Sequence, residues 1–265
     1  MKQQSIKFTK MHGLGNDFVV INAIAQSVDI NHLPIAALAD RHTGIGFDQL
    51  LIIEQSTQAD VFCRIFNSDG SEAAQCGNGM RCIARFIQEE KINTKSHVTI
   101  ELKHGIVEAT LKNFNEITVR MGIPELQGAT ELTLDDQNYF LTTLSLGNPH
   151  AILQVPSINT FPIKDVGPKI STHTAFPDGV NVGFMQLIDR QTIRLRTFER
   201  GAGETLACGS NSCAAVVAGI QNDLLDHQVT VQLAKGHLQI EWAGQAASVL
   251  MTGPAERVFD GICYL

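Results

Sequence analysis

Apolar and polar residues alternate in short runs along much of this chain. Ile6-Lys7-Phe8-Thr9-Lys10-Met11 is the first such run, and its period of two predicts a half-buried strand. Largely apolar runs at Phe18 to Ile24, Leu50 to Glu54 and Val61 to Phe66 predict further strands, the first of them buried. Three alternating strands follow near 97–103, 106–111 and 116–121. In the second half strands are predicted near 138–144, 150–155, 180–188, 192–198, 228–233, 237–242 and 247–251. Helical periodicity is scarcer. Pro34 to Asp40 predicts a short helix with proline near its start, and 162–171 predicts another. One longer apolar helix is predicted in each half, from Cys76 to about Lys91 and near 209–222. Ile83, Ala84 and Ile87 in one, and Ala214 to Ala218 in the other, make these helices apolar enough to be enclosed by sheet. Pro124 to about Asp136, rich in Gly, Thr and Asp, is expected to be a linker.

The two halves carry one pattern in a common register. Cys76-Gly77 and Cys208-Gly209 each open a long helix, 132 residues apart (208 − 76). At the same offset Leu14-Gly15-Asn16 meets Leu146-Gly147-Asn148, and Gln49 meets Asn181. Arg64 and Phe66 meet Arg196 and Phe198, and Glu72 meets Glu204. Beyond the helices the register slips by one, so that Val98 to Leu102 meets Val229 to Leu233. Many matches in one slowly drifting register predict two similar domains rather than a solenoid of short repeats. We place them at 1–125 and 126–265, with strand exchange at the termini as an open possibility.

Composition narrows the function. A length of 265 residues and an apolar fraction of 44% support two ordinary cores. The net charge of −7 with no basic block argues against nucleic acid as a partner. No apolar run approaches membrane-span length, and Met1 to Phe8 has no signal-peptide core, so a cytoplasmic protein is expected. Six cysteines without a secretion signal suggest reduced thiols. Their Cys-x5-Cys and Cys-x4-Cys spacings fit zinc poorly, so no metal is expected.

A thiol acts as its thiolate, and a helix N-terminus favours that form through free N–H groups and the helix dipole. Cys76 and Cys208 are both predicted at such a position. Gly77-Asn78-Gly79 and Gly209-Ser210 leave the first N–H groups open to an anionic ligand such as a carboxylate. A pseudo-twofold arrangement of the halves would set the two cradles face to face. Two thiols on opposite sides of one carbon suit inversion: one thiolate removes a proton and the other thiol returns one to the opposite face. Asn16, Gln49, Asn67, Asn148, Asn181, Glu199 and Arg200 supply amides and one charge pair suited to a zwitterion. Cys63, Cys82, Cys213 and Cys263 read as core thiols, and His12 and His42 as turn and packing residues. Arg64 and Arg196 read as mirrored structural ion pairs, whereas Glu72 and Glu204 are expected to bond to backbone at the helix entries. His12-Gly13-Leu14-Gly15-Asn16-Asp17 fails the dinucleotide fingerprint because Phe18 stands at the third glycine. A racemase for another amino acid, a thiol redox protein and a non-catalytic amino-acid-binding protein remain open on these residues alone.

Several stretches resemble one family. They are Lys10-Met11-His12-Gly13-Leu14-Gly15-Asn16-Asp17-Phe18, Gly44-Ile45-Gly46-Phe47-Asp48-Gln49, Phe66-Asn67-Ser68-Asp69-Gly70-Ser71-Glu72 and Gln75-Cys76-Gly77-Asn78-Gly79-Met80-Arg81-Cys82. In the second half they are Gly147-Asn148-Pro149-His150 and Glu199-Arg200-Gly201-Ala202-Gly203-Glu204-Thr205 through Cys208-Gly209-Ser210. Over essentially its whole length the chain resembles the diaminopimelate epimerases. The resemblance implies a cofactor-independent isomerase that interconverts LL- and meso-diaminopimelate in bacterial lysine and peptidoglycan-precursor synthesis. It implies an α/β (α+β) fold of two homologous domains, each a curled, mainly antiparallel sheet around a central helix, assembled as a homodimer. It assigns Cys76 and Cys208 as catalytic. Substrate contacts fall on Asn16, Gln49, Asn67, Gly77, Asn78, Asn148, Asn181, Glu199, Arg200, Gly209 and Ser210, and His150 and Glu199 are expected to tune the thiol pKa values. Met80 stands where the family usually has Ala, and Asn211-Ser212 where Gly-Ala is usual.

Overall fold

The structure, a computed structural model, describes residues 5–265. The predicted strand at Ile6–Met11 lies within them, while Met1 to Gln4 lie outside. Among the described residues there are eighteen strands and four α-helices, a strand-dominated α+β fold. They fall into two compact units. The first comprises residues up to Val119 together with Pro254–Leu265, and the second is Arg120–Gly253.

The first unit begins with β1 (Ser5–Gly13) and β2 (Asn16–Asn22), an antiparallel hairpin closed by Leu14-Gly15. Helix α1 (Ile35–Ala39) crosses to β3 (Gln49–Glu54), which runs parallel to β2 with Phe18 opposite Gln49. β4 (Val61–Asn67) returns antiparallel, with Gln49 opposite Asn67, and β5 (Glu72–Ala73) adds a short edge. Helix α2 (Gly77–Glu89) follows, then the meander β6 (His97–Leu102), β7 (Gly105–Asn113) and β8 (Glu116–Arg120).

The second unit repeats this order after one added strand. β9 (Glu125–Leu134) pairs with β10 (Gln137–Ser145), and β10 with β11 (Pro149–Gln154). Helix α3 (Ile163–Ser171) crosses to β12 (Asn181–Asp189), parallel to β11 with His150 opposite Asn181. β13 (Thr192–Glu199), β14 (Gly203–Thr205), α4 (Gly209–Gln221), β15 (Gln228–Leu233), β16 (Gly236–Glu241) and β17 (Leu250–Gly253) complete it. The His150–Asn181 and Phe18–Gln49 pairs stand in the same 132-residue register read from the sequence. The last strand, β18 (Glu256–Tyr264), pairs antiparallel with β1 and so belongs to the first unit.

The residues explain the layering. In α2 and α4 alike ten of thirteen residues are buried, which makes each helix a core element rather than a half-exposed one. Enclosing each large aliphatic side chain contributes about 1.5–3 kcal/mol. A second core lies around each short helix. Ile35 and Leu38 of α1 pack with Val19, Ile21, Leu50 and Ile52, and Ile163 and Ile170 of α3 pack with Leu153, Val182 and Phe184.

Two expectations need correction. The segment from Pro124 to Asp136 is not a linker. Glu125–Leu134 is a strand whose side chains are almost all exposed, so its sequence shows no apolar alternation, and Gly128 at φ 98° sits where the β9–β10 ladder bulges. Glu72 and Glu204 do not bond to backbone at the helix entries. Arg64 Nε donates to Glu72 at 2.8 Å, and Arg196 Nε donates to Glu204 at 2.6 Å. The predicted mirrored ion pairs of Arg64 and Arg196 therefore form, with the glutamates as partners.

Candidate active site

In each unit several of the predicted site residues meet at the N-terminus of its long helix: Asn16 and Asn78 with Cys76, and Glu199 and Ser210 with Cys208. In the first unit Cys76 is the residue preceding α2, with extended backbone at φ −150° and ψ 102°. The Gly79 N–H donates to Cys76 Sγ at 3.4 Å, so the thiol sulfur caps the first turn as a serine oxygen would elsewhere. A Cβ at Gly79 would stand 3.4 Å from the sulfur and 3.3 Å from Leu51 Cδ1, so the helix entry packs closely against β3 here. Cys76 is half-buried, and its thiol faces Asn16 Oδ1 at 3.9 Å. Asn78 Nδ2 donates to the same oxygen at 3.2 Å. Gln49 Nε2 donates to Asn67 Oδ1 at 2.9 Å, across the β3–β4 pair.

Asn16 is oriented by groups that the sequence reading passed over. Its Nδ2 donates to Asp48 Oδ2 at 2.9 Å, and Arg41 Nη2 donates to Asp48 Oδ1 at 2.8 Å and to Asp17 Oδ1 at 2.6 Å. Lys10 Nζ closes the network on Asp17 and the Gly46 carbonyl. Burial alone would raise the Asp17 carboxyl, but hydrogen bonds and charge from Arg41 and Lys10 outweigh it and hold the group at about 2. The signal was available, since Asp48 directly precedes Gln49 within the Gly44 to Gln49 motif.

In the second unit Cys208 precedes α4, with φ −125° and ψ 115°, and is only 7% exposed. Burial pushes its thiol well above the ordinary value of 9.0, and the neighbouring Glu199 carboxylate adds to the rise. The Ser210 hydroxyl and the Asn211 backbone N–H act the other way. Ser210 Oγ stands 3.5 Å from the sulfur. Thr205 Oγ1 donates to Glu199 and fixes its carboxylate. Asn181 is held on both sides. Its Nδ2 donates to the Pro149 carbonyl at 3.1 Å, and its Oδ1 accepts from Arg200 N–H at 3.1 Å. The Arg200 guanidinium donates to the Asp178 carbonyl at 2.7 Å.

His150 is fully buried, and its Nε2 stands 3.0 Å from Asn148 Oδ1. That oxygen accepts, so Nε2 carries the proton. Burial, with help from the charge of Arg200, pushes the imidazole down to about 3. His150 is therefore neutral at neutral pH and acts on its surroundings through hydrogen bonding, not charge.

The remaining cysteines differ. Cys63, Cys82 and Cys213 are buried, and Cys263 is half-buried at the C-terminal strand. Burial drives the Cys63 thiol strongly up and the Cys82 thiol to about 12, which keeps both protonated and unreactive.

The diaminopimelate epimerase family profile matches residues 8–127 and 142–258, one segment over most of each half. The chain belongs to the diaminopimelate epimerase family. It is 49% identical to the diaminopimelate epimerase of Nitrosomonas eutropha, over 97% of this chain and 98% of that one. It is 46% identical to that of Ectopseudomonas mendocina, with the same two coverages. Such a family member is an isomerase. The fold is shared more widely. A hydroxyproline epimerase from Agrobacterium vitis with bound trans-4-hydroxy-L-proline superposes with a TM-score of 0.75 at 14% identity, covering 98% of this chain and 93% of that one. A PhzF-family phenazine biosynthesis protein from Bacillus anthracis superposes at 0.74 and 18% identity, covering 99% and 100%. These structural likenesses fix the fold, two alike α+β halves, while the family relationship carries the isomerase assignment.

Proposed function

We propose that this enzyme interconverts LL- and meso-2,6-diaminopimelate by proton transfer between the α-carbon and two cysteines, Cys76 and Cys208, without a cofactor or metal. The observation that carries the reading is the duplication. Each half presents a cysteine at the N-terminus of its buried helix, with Asn16 and Asn78 beside Cys76 and Glu199 and Ser210 beside Cys208. One thiolate takes the α-hydrogen as a proton, and the C–H electron pair passes onto the substrate carboxylate. The first-turn N–H groups of Gly77, Asn78, Gly209 and Ser210 stabilise that developing charge. The opposite thiol then donates its proton to the other face of the carbon. Either cysteine can start the cycle, because each ends it in the state the other began in.

Substrate recognition follows from the donor set. Arg200 takes a carboxylate, and Glu199 with the oxygens of Asn16, Gln49, Asn67, Asn148 and Asn181 takes ammonium groups. Glu199 bears on Cys208 through charge, whereas His150 hydrogen-bonds to Asn148 and serves the site through that amide. We assign the reaction to the lysine and peptidoglycan-precursor route in the cytoplasm. Val258, Phe259, Ile262 and Tyr264 along β18 are each about half exposed or more, an apolar surface that supports a homodimer.

The test is a chiral separation of products after the reduced protein is incubated with meso-diaminopimelate, and in parallel with trans-4-hydroxy-L-proline. Conversion of the first alone, unaffected by a chelator and by a carbonyl-trapping reagent, is expected. Conversion of the proline derivative alone, or loss of activity on chelation, would overturn the reading.

A further inference from the structure

Asn211 and Ser212 stand where the family resemblance implies Gly and Ala. Ser212 is readily explained, because its Oγ donates back to the Cys208 carbonyl at 2.8 Å. Asn211 is harder to account for. It is fully buried, and neither Oδ1 nor Nδ2 has a hydrogen-bond partner among the described residues. A buried primary amide left in that state is strongly disfavoured.

Its surroundings point to what satisfies it. A Cβ on Gly183 would stand 2.6 Å from Asn211 Oδ1 and 2.7 Å from Ile152 Cδ1, so the amide presses on bare backbone of β12. Gly183 is paired with Ile152 on one side and Thr197 on the other, so all three face α4. Thr197 is 2% exposed, and its Oγ1 also has no partner among the described residues. The amide and the hydroxyl thus share one slot beneath the first turn of α4. Two residues along the ladder, on the same face, are His150 and Asn181, and Glu199 stands beside Cys208. Cys208 precedes Asn211 by three residues, one turn of the same helix face.

The first unit supplies an internal control. At the same register its slot is lined by Val20, Leu51 and Ile65, with Gly79 on the helix. Large and small residues are exchanged: Leu51 faces Gly79 there, and Gly183 faces Asn211 here. Hydrocarbon therefore fills the slot well, and packing alone does not call for the amide and the hydroxyl.

We propose that Asn211 and Thr197 hold one buried water between α4 and the sheet, and that this bridge positions the turn carrying Cys208. A water offers two donors and two acceptors, enough to pair with the amide and the hydroxyl together. Asn211 and Thr197 are positioning residues; their importance for catalysis rests on the role given to Cys208 above, but the bridge and its effect on the thiol do not.

Two variants of the full chain test it. Thr197→Val keeps the shape and removes the hydroxyl. The double variant N211G/G183L rebuilds the first unit's pairing and removes the amide. A high-resolution crystal structure should show a water within hydrogen-bond distance of Asn211 and Thr197, absent from the double variant. Site-resolved alkylation by iodoacetamide should proceed about five-fold faster at Cys208 in both variants, relative to Cys76 in the same tube, the effect of losing one buried hydrogen bond. A purely space-filling Asn211 would leave that ratio at its wild-type value in N211G/G183L. An occupied slot without change in the ratio, or a slot without water, would overturn the proposal. Neither readout needs substrate, so a failed epimerase assignment would be seen separately.

Discussion

Replacing His150 with glutamine should flatten the acid sensitivity of the second unit. The native imidazole is held at about 3, against 6.5 for an ordinary histidine, because it is buried first and lies near the positive Arg200 second. The unfolded chain therefore binds a proton near pH 6.5 that the native chain refuses. A depressed native pKa contributes stability that is fully present above pH 6.5 and is lost as pH falls toward 3. Each pH unit within that window costs about 1.4 kcal/mol, so lowering the pH from 7.5 to 5 removes roughly 2 kcal/mol through this one group. Glutamine keeps an N–H donor for Asn148 Oδ1 and has nothing to titrate. The chain's single tryptophan, Trp242, is buried in the second unit and donates to the Ala247 carbonyl at 3.0 Å, so its fluorescence reports unfolding there. Urea melts at pH 7.5, 6 and 5 should show wild type losing roughly 2 kcal/mol more than His150→Gln across the range. Equal losses in the two proteins would refute the neutral, buried imidazole, and with it the view that His150 acts by hydrogen bonding.

Further outcomes follow from the thiols. Glu199→Gln removes the carboxylate that helps hold the Cys208 thiol up, so the pH profile of Cys208 alkylation should move to lower pH; an upward or absent shift would contradict the assigned cause. Under limiting iodoacetamide at pH 8, Cys76 should be modified before Cys63 and Cys82, whose burial keeps them protonated, and mass spectrometry of the peptides would expose any other order.

Much of the arrangement could be read from residue order, and the reasons differ by element. The long helices were legible because a cysteine-glycine entry precedes an apolar run, and because the whole pattern occurs twice. The ladder pairs Phe18–Gln49 and His150–Asn181 preserve that spacing in space, so the repeat in sequence is a repeat in hydrogen bonding. β9 was not legible, since an edge strand with nearly every side chain in solvent needs no apolar alternation. β18 was missed for another reason. Its partner is β1, at the far end of the chain, with Ser5 opposite Tyr264, and no local pattern announces so distant a pairing. Glu72 and Glu204 were read as backbone acceptors at the helix entries. Each instead meets an arginine eight residues earlier, on the neighbouring strand of its own hairpin. The chemistry-bearing cysteines and amides stood out by their duplication, whereas Asp48, Arg41 and Thr205, which orient them, occur in only one half and carried no such mark.

Deuterium exchange at the substrate α-carbon tests the two-thiol reading most directly. Reduced wild-type protein, Cys76→Ala and Cys208→Ala would each be incubated with meso-diaminopimelate in D₂O, with the α-hydrogen signal followed by NMR and the isomers separated afterwards. The account predicts that wild type forms the LL isomer carrying deuterium at the inverted carbon, and that neither variant converts one isomer to the other. Inversion by folded Cys208→Ala or Cys76→Ala at a rate near that of wild type would contradict it.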